Sequence, residues 1–156
     1  MSLMRQIQFS EAGDPATVAK CVTVPAPKIS GLEDVLVRIT AFPVNPADLL
    51  TMKGVYPRDG TAGLSLGTEA MGIVEAVGRG VQSVSPGDKV ILLSQNNWSE
   101  MKVVSAEKVK KIPDGFALPR AVTLKVNPAT AFLLLTQFEN LEPGDWIVQS
   151  AANSMV

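Results

Sequence analysis

The 156-residue chain contains no histidine and one cysteine, Cys21. Without imidazole there is no His-dependent triad, and the common transition-metal sites lose their main ligand. One cysteine forms no internal disulfide, which fits a reducing cytoplasm. Aromatic residues are scarce at 5%, with a single tyrosine, Tyr56. A base-stacking surface is therefore not expected. No charge of one sign dominates either: 14 Lys and Arg stand against 15 Asp and Glu, a net charge of −1. With no basic block or stripe, nucleic acid is not expected as a partner. No apolar run approaches the ~20 residues needed to span a bilayer, so no membrane partner is expected. The start lacks a basic segment followed by an apolar core, the mark of a secretion signal. Met1-Ser2-Leu3 precedes a second methionine and reads as a leader, with Met4 the native start.

What remains is ordinary for a folded chain: 46% hydrophobic and 19% charged residues. The length suits one domain with a real core, or one and a fraction. The first three quarters read as short strands between turns. Strands are expected at Arg5–Phe9, Val18–Val24, Asp34–Phe42, Glu69–Val77, Lys89–Leu93, Trp98–Val104 and Val109–Ile112. In the clearest of them Val35, Val37, Ile39 and Ala41 alternate with Leu36, Arg38, Thr40 and Phe42, a period of two. Gly72 inside a strand marks a bulge or a close backbone approach. Many short strands with Gly/Pro punctuation indicate a closed or nearly closed β-barrel.

The Asn45–Pro57 stretch is the most informative. Asn45 can cap a helix, Pro46 suits its first position, and Gly54 can end it in a left-handed conformation. Tyr56 then falls on a loop beside Pro57, ahead of a Gly-rich segment from Asp59 to Gly67. A phenol there serves as a proton donor or as packing; the residue alone does not choose. After Pro113-Asp114 the pattern turns helical, over Leu118–Val126 and then Ala129–Phe138. Asn127-Pro128 repeats the cap-plus-proline start. Pro143-Gly144-Asp145 repeats the earlier turn Pro86-Gly87-Asp88 and launches Trp146-Ile147-Val148-Gln149, apolar enough for a buried parallel strand. A strand running into the small residues of Ser150–Val156 is how a nucleotide-binding βαβ unit begins.

This order of elements resembles the medium-chain dehydrogenase/reductase superfamily. Leu66-Gly67-Thr68-Glu69-Ala70-Met71-Gly72-Ile73-Val74 is similar to its G-H-E-x-x-G-x-V segment. The resemblance implies a mainly β fold: a GroES-like catalytic barrel over residues 1–126, then a connecting helix and the start of a truncated NAD(P)-binding Rossmann domain over 127–156. Thr68 replaces the motif's histidine, and Cys21 is the only thiol, so three N/S zinc ligands cannot be assembled. The chain resembles the zinc-independent branch, within which two groups compete. Gly67-Thr68-Glu69-Ala70 and Gly54-x-Tyr56-Pro57 resemble quinone oxidoreductases. Asn45-Pro46-x-Asp48, Gly54-Val55-Tyr56-Pro57, Val126-Asn127-Pro128-x-Thr130-Ala131 and Asn153-Ser154 resemble 2-enoyl thioester reductases, and the Val126–Ala131 match favours the latter. A freestanding GroES-like binding domain is the reading of another class.

The resemblance implies NADPH as cofactor, no zinc, an enoyl thioester or quinone as small-molecule substrate, and a homodimer for a full-length protein. It implies that Tyr56 is the proton donor; a phenol ordinarily titrates near pH ~10 and so carries its proton at neutrality. It places Asn45, Asp48 and Thr130 at the nicotinamide end of the cleft and Trp98 beside the substrate. Each has a plainer role as well: Asn45 and Asp48 in helix capping, Thr130 as a first-turn polar residue, Trp98 in the core. Glu69, without a zinc ion behind it, is expected to pair with a basic group or a backbone donor. The chain is expected to be a fragment, inactive by itself.

Overall fold

A computed structural model describes residues 2–56 and 66–154. Pro57 and the Gly-rich stretch up to residue 65 lie outside the described residues, as do Met155 and Val156.

Strands β1 (Leu3–Gln8) and β2 (Lys20–Pro25) pair antiparallel as a hairpin. Between them α1 (Pro15–Val18) starts on Asp14, whose carboxylate accepts the Ala16 N–H at 3.1 Å. Val18 is therefore helical rather than the first residue of a strand: the Asp-Pro start is a stronger local signal than a single β-branched residue. The main sheet has five antiparallel strands. They are β3 (Asp34–Ala41), β4 (Ala70–Val77), β5 (Lys89–Leu92), β6 (Met101–Ser105) and β7 (Val109–Lys111), in the order β6-β3-β4-β5-β7. Its two edges are joined by the 3₁₀ turn Ala106–Lys108. The expected barrel is thus a curled five-stranded sheet with a separate hairpin, tied by the bridge between Gln6 and Ser99.

The core sits on one face of this sheet, where Val35, Val37, Val74, Val90 and Leu92 are buried together. Alternation predicts that face for Val35 and Val37, but Ala41 is exposed. The reason is register. Leu36 faces Ala76 while Val37 faces Val74, and Ile39 faces Gly72 while Ala41 faces Met71. Glu75 and Thr40 are therefore extra residues on opposite strands, and each bulge breaks the period of two. Gly72 lies between them, where a Cβ would stand 2.4 Å from the Arg38 carbonyl oxygen. The close backbone approach expected from that glycine is present.

Three helices come after the strand ends: α2 (Pro46–Met52), α3 (Leu118–Ala121) and α4 (Asn127–Thr136). The Leu118–Val126 helix expected from sequence stops at Ala121. Val122, Thr123 and Val126 are β-branched and propagate a helix poorly, and Lys125 is drawn aside to main-chain oxygens of Thr68 and Ser94. Trp98 lies before β6, not in it. Residues 146–149 form no strand, and Trp146, Ile147 and Val148 are exposed. A parallel strand needs a neighbour to complete its ladder, and among the described residues no strand pairs with this segment.

Candidate functional site

Asn45 opens α2 in an extended conformation, with Pro46 at the first helical position. The Asp48 carboxylate accepts the Asn45 N–H at 2.9 Å, closing a capping box. Both side chains are buried. The Asn45 amide nitrogen donates to Thr68 Oγ1 and to Glu69 Oε2, each at 3.0 Å. The loop carrying Gly67-Thr68-Glu69 is thereby tied to the start of α2. Asp48 strengthens the tie by also accepting the backbone N–H groups of Thr68 and Gly67. Burial raises its pKa above the ordinary carboxylate value; the three backbone donors oppose the shift, and the nearby Glu69 charge adds to it.

Glu69 is buried and spends its second oxygen elsewhere. Oε1 accepts the Val126 N–H at 2.9 Å, where α4 begins. The backbone donor expected for this carboxylate exists, but it comes from 57 residues along the chain. Beside it Lys125 Nζ donates to Thr68 O at 2.6 Å and Ser94 O at 2.9 Å. Burial lowers the Lys125 pKa, while Glu69 and Asp48 pull it back up. One carboxylate therefore joins two helix starts, each with the sequence Asn-Pro.

The segment 94–98 is knitted to the same loop. Asn97 is fully buried, and its amide nitrogen donates to Gly67 O at 3.0 Å and Ser94 O at 2.9 Å. The Trp98 N–H reaches Leu66 O at 2.7 Å. Lys102 Nζ donates to the carbonyls of Gln95 and Asn96 and to Asn97 Oδ1. Burial, with the Lys125 charge next to it, lowers Lys102 to about 8.

The predicted site residues separate into two groups. Asn45 and Asp48 meet at one end of α2 around Glu69. Thr130 stands on the first turns of α4, exposed, with its hydroxyl donating to Val126 O at 2.7 Å. Tyr56 stands beyond the other end of α2, a seven-residue helix and so roughly 10 Å long. Gly54 ends that helix with φ +75°, the left-handed conformation that glycine adopts without a Cβ penalty. The N–H groups of Val55 and Tyr56 then fold back onto Leu50 O. The Tyr56 ring is half-exposed, and among the described residues its hydroxyl has no hydrogen-bond partner. Trp98 is buried against Phe9 and Met52 and stacks on Phe42 at 5.8 Å. Its other side lines an apolar cavity of about 220 Å³ with Ile7, Ile39 and Ala41. That cavity reaches neither Tyr56 nor Asn45 nor Thr130.

Sequence reasoning missed Asn97, Lys102 and Lys125 as parts of this frame; none belongs to a recognisable motif. It also took Asn127 as a cap. Val126 is the residue at the cap position, and Asn127 is the first of the helix, buried. The repeated Asn-Pro pair marks the position but not the role.

Residues 31–114 match the alcohol dehydrogenase GroES-like domain. The chain belongs to the medium-chain dehydrogenase/reductase family. Within this family it is 38% identical over 160 residues to the mitochondrial enoyl-[acyl-carrier-protein] reductase of Mus musculus, covering 99% of this chain and 42% of that protein. The corresponding Arabidopsis thaliana protein is 36% identical, with 97% and 41% covered. The chain thus spans about two fifths of the length of the curated relatives it matches. Among solved structures, the Etr1p complex with NADP and crotonyl-CoA superposes with a TM-score of 0.81 at 26% identity, over 92% of this chain and 46% of that one. A quinone oxidoreductase of Pseudomonas syringae superposes with a TM-score of 0.75 at 31% identity, over 90% and 43%. Among the described residues no helix is long and apolar enough to cross a membrane.

Proposed function

We propose that this chain is the catalytic-domain part of an NADPH-dependent reductase of the C=C bond of 2-enoyl thioesters. The observation that carries the reading is the tie through Glu69. It ties the Gly67-Thr68-Glu69 segment, the Asn45-Pro46-x-Asp48 helix start and the first residue of the enoyl-reductase-like Val126–Ala131 segment together through one buried carboxylate. Relatives named as enoyl reductases cover almost the whole chain. Residues 1–126 form the catalytic domain; 127–156 are the connecting helix and the start of an NAD(P)-binding domain, with a homodimer formed by the full-length protein.

The residues present fit a nicotinamide cofactor. Thr130 keeps an exposed hydroxyl oxygen free to accept a hydrogen bond. Asn45 and Asp48 serve by holding the wall of the cleft, since their polar atoms are engaged within the chain. NADPH, when bound, supplies the hydride for the β-carbon. Charge then gathers on the thioester oxygen, and the α-carbon must take a proton. Tyr56 fits that task as a half-exposed phenol, unpaired among the described residues. Trp98, which lines an apolar cavity, borders the substrate pocket.

Reduction of crotonyl-CoA by the gene-encoded protein tests the reading. Tyr56→Phe is expected to lower kcat about 100-fold or more with the fold intact; unchanged turnover removes the proton donor. The 156-residue chain alone is expected to be inactive, and turnover by it would refute the fragment reading. Because a quinone oxidoreductase superposes at 31% identity, a small quinone in the same assay decides the second reading. The unpaired, exposed Cys21 fits a cytoplasmic protein; cell fractionation against a mitochondrial marker tests that placement.

A further inference from the structure

Six polar or charged residues are buried among the described residues: Asn45, Asp48, Glu69, Asn97, Ser99 and Asn127. Five of them use their side chains. Asn45, Asp48 and Glu69 bond one another and the backbone. Asn97 donates to Gly67 O and Ser94 O, and Ser99 donates to Met101 O at 3.1 Å. Asn127 is the exception. Its relative exposure is 9%, yet its amide has no hydrogen-bond partner among the described residues. The amide is not sealed off, because its polar tip still meets solvent.

Its position is also fixed. The preceding Val126 N–H is held by Glu69, and Lys125 before it is held by the carbonyls of Thr68 and Ser94. Asn127 is the first residue of a ten-residue helix, where main-chain N–H groups lack intrahelical partners and the helix dipole favours negative charge. A donor amide on a pinned backbone at the positive end of a helix is arranged for an oxygen that gains negative charge. In both enoyl thioesters and quinones, the reacting carbonyl is such an oxygen.

We propose that the Asn127 carboxamide is a further ligand-contacting residue, donating through Nδ2 to the carbonyl oxygen of the bound substrate, and that Glu69 positions it. The assignment rests on the reductase reading above. Removing Asn127 should then weaken catalysis without weakening the fold, the opposite of what a structural asparagine does.

The test uses the gene-encoded protein with NADPH and either crotonyl-CoA or a small quinone, whichever the wild type reduces. Asn127→Asp, nearly isosteric but without the donor, and Asn127→Ala are expected to lower kcat/KM about tenfold or more. The loss should fall mainly on kcat, with Tm close to that of the wild type. A lowered Tm with kcat/KM retained, or neither quantity changed, overturns the proposal. Glu69→Gln should cost less in an Asn127→Ala background than alone, since positioning matters only when the positioned group is present. Equal costs in both backgrounds overturn the positioning role. If the wild type reduces neither substrate, the reductase reading falls on that result. Calorimetric titration with crotonyl-CoA then decides Asn127: a dissociation constant raised about tenfold by Asn127→Ala supports it, and equal or absent binding overturns it.

Discussion

The two Asn-Pro helix starts have the same sequence and opposite surroundings. At Asn45 the asparagine is extended, bracketed by Asp48, Thr68 and Glu69, and its donors are spent. At Asn127 it is the first helical residue, the cap position belongs to Val126, and the amide is unpaired among the described residues. The difference begins three residues on. Asp48 stands three after Asn45 and completes a capping box; three after Asn127 stands Thr130, whose hydroxyl bonds back to Val126 O instead. One start is braced by its own sequence. The other is braced from outside, by Glu69, and keeps its asparagine for another use.

The largest expected effect removes the shared brace. Glu69→Ala deprives the Asn45 amide and the Val126 N–H of a buried carboxylate. Two charge-assisted bonds lost should cost roughly 3–5 kcal/mol, seen as an earlier midpoint in urea. A cost under about 1 kcal/mol would mean that the two starts do not depend on one another. Next comes the comparison itself. Asn45→Ala should cost about 2 kcal/mol, whereas Asn127→Ala should change stability by about 0.5 kcal/mol or less. Equal costs would erase the distinction.

The smallest effect concerns the segment between the two starts. Lys102 is lowered from 10.5 to about 8 by burial and by Lys125. An unfolded lysine holds its proton up to the ordinary value, so across that window the unfolded state binds more protons than the folded one. Stability from this group therefore rises with pH between about 8 and 10.5. Lys102→Met should flatten that rise in urea titrations across the same range; an identical pH slope would contradict the burial of this ammonium.

Much of the local structure was legible. The α2 start and stop come from Asn45, Pro46, Asp48 and Gly54, all within ten residues. Five strands of the sheet fall within a few residues of where alternation and turn residues place them. Trp98 was not legible: a tryptophan before an apolar run reads as part of it, but its indole is held outside β6 by contacts with Gly67, Phe42 and Met52. The Glu69 tie was half legible. Its need for a partner comes from burial of a carboxylate, but the partner's identity depends on a chain crossing that no local pattern encodes.

The repeated Pro-Gly-Asp turn marks the limit. In both copies the aspartate accepts an N–H three residues back, from Ser85 at 2.9 Å and from Glu142 at 2.7 Å. The sequence alone determined that much, because the turn closes within four residues. The fate of the apolar run after each turn was decided by tertiary structure. Lys89–Leu92 becomes β5 because β4 and β7 flank it, while residues 146–149 form no strand. A turn, a cap or an alternating run is settled by neighbours along the chain. A strand's ladder and a buried carboxylate's second partner are settled only by what the fold brings alongside, since their hydrogen bonds must be completed by residues far away in sequence.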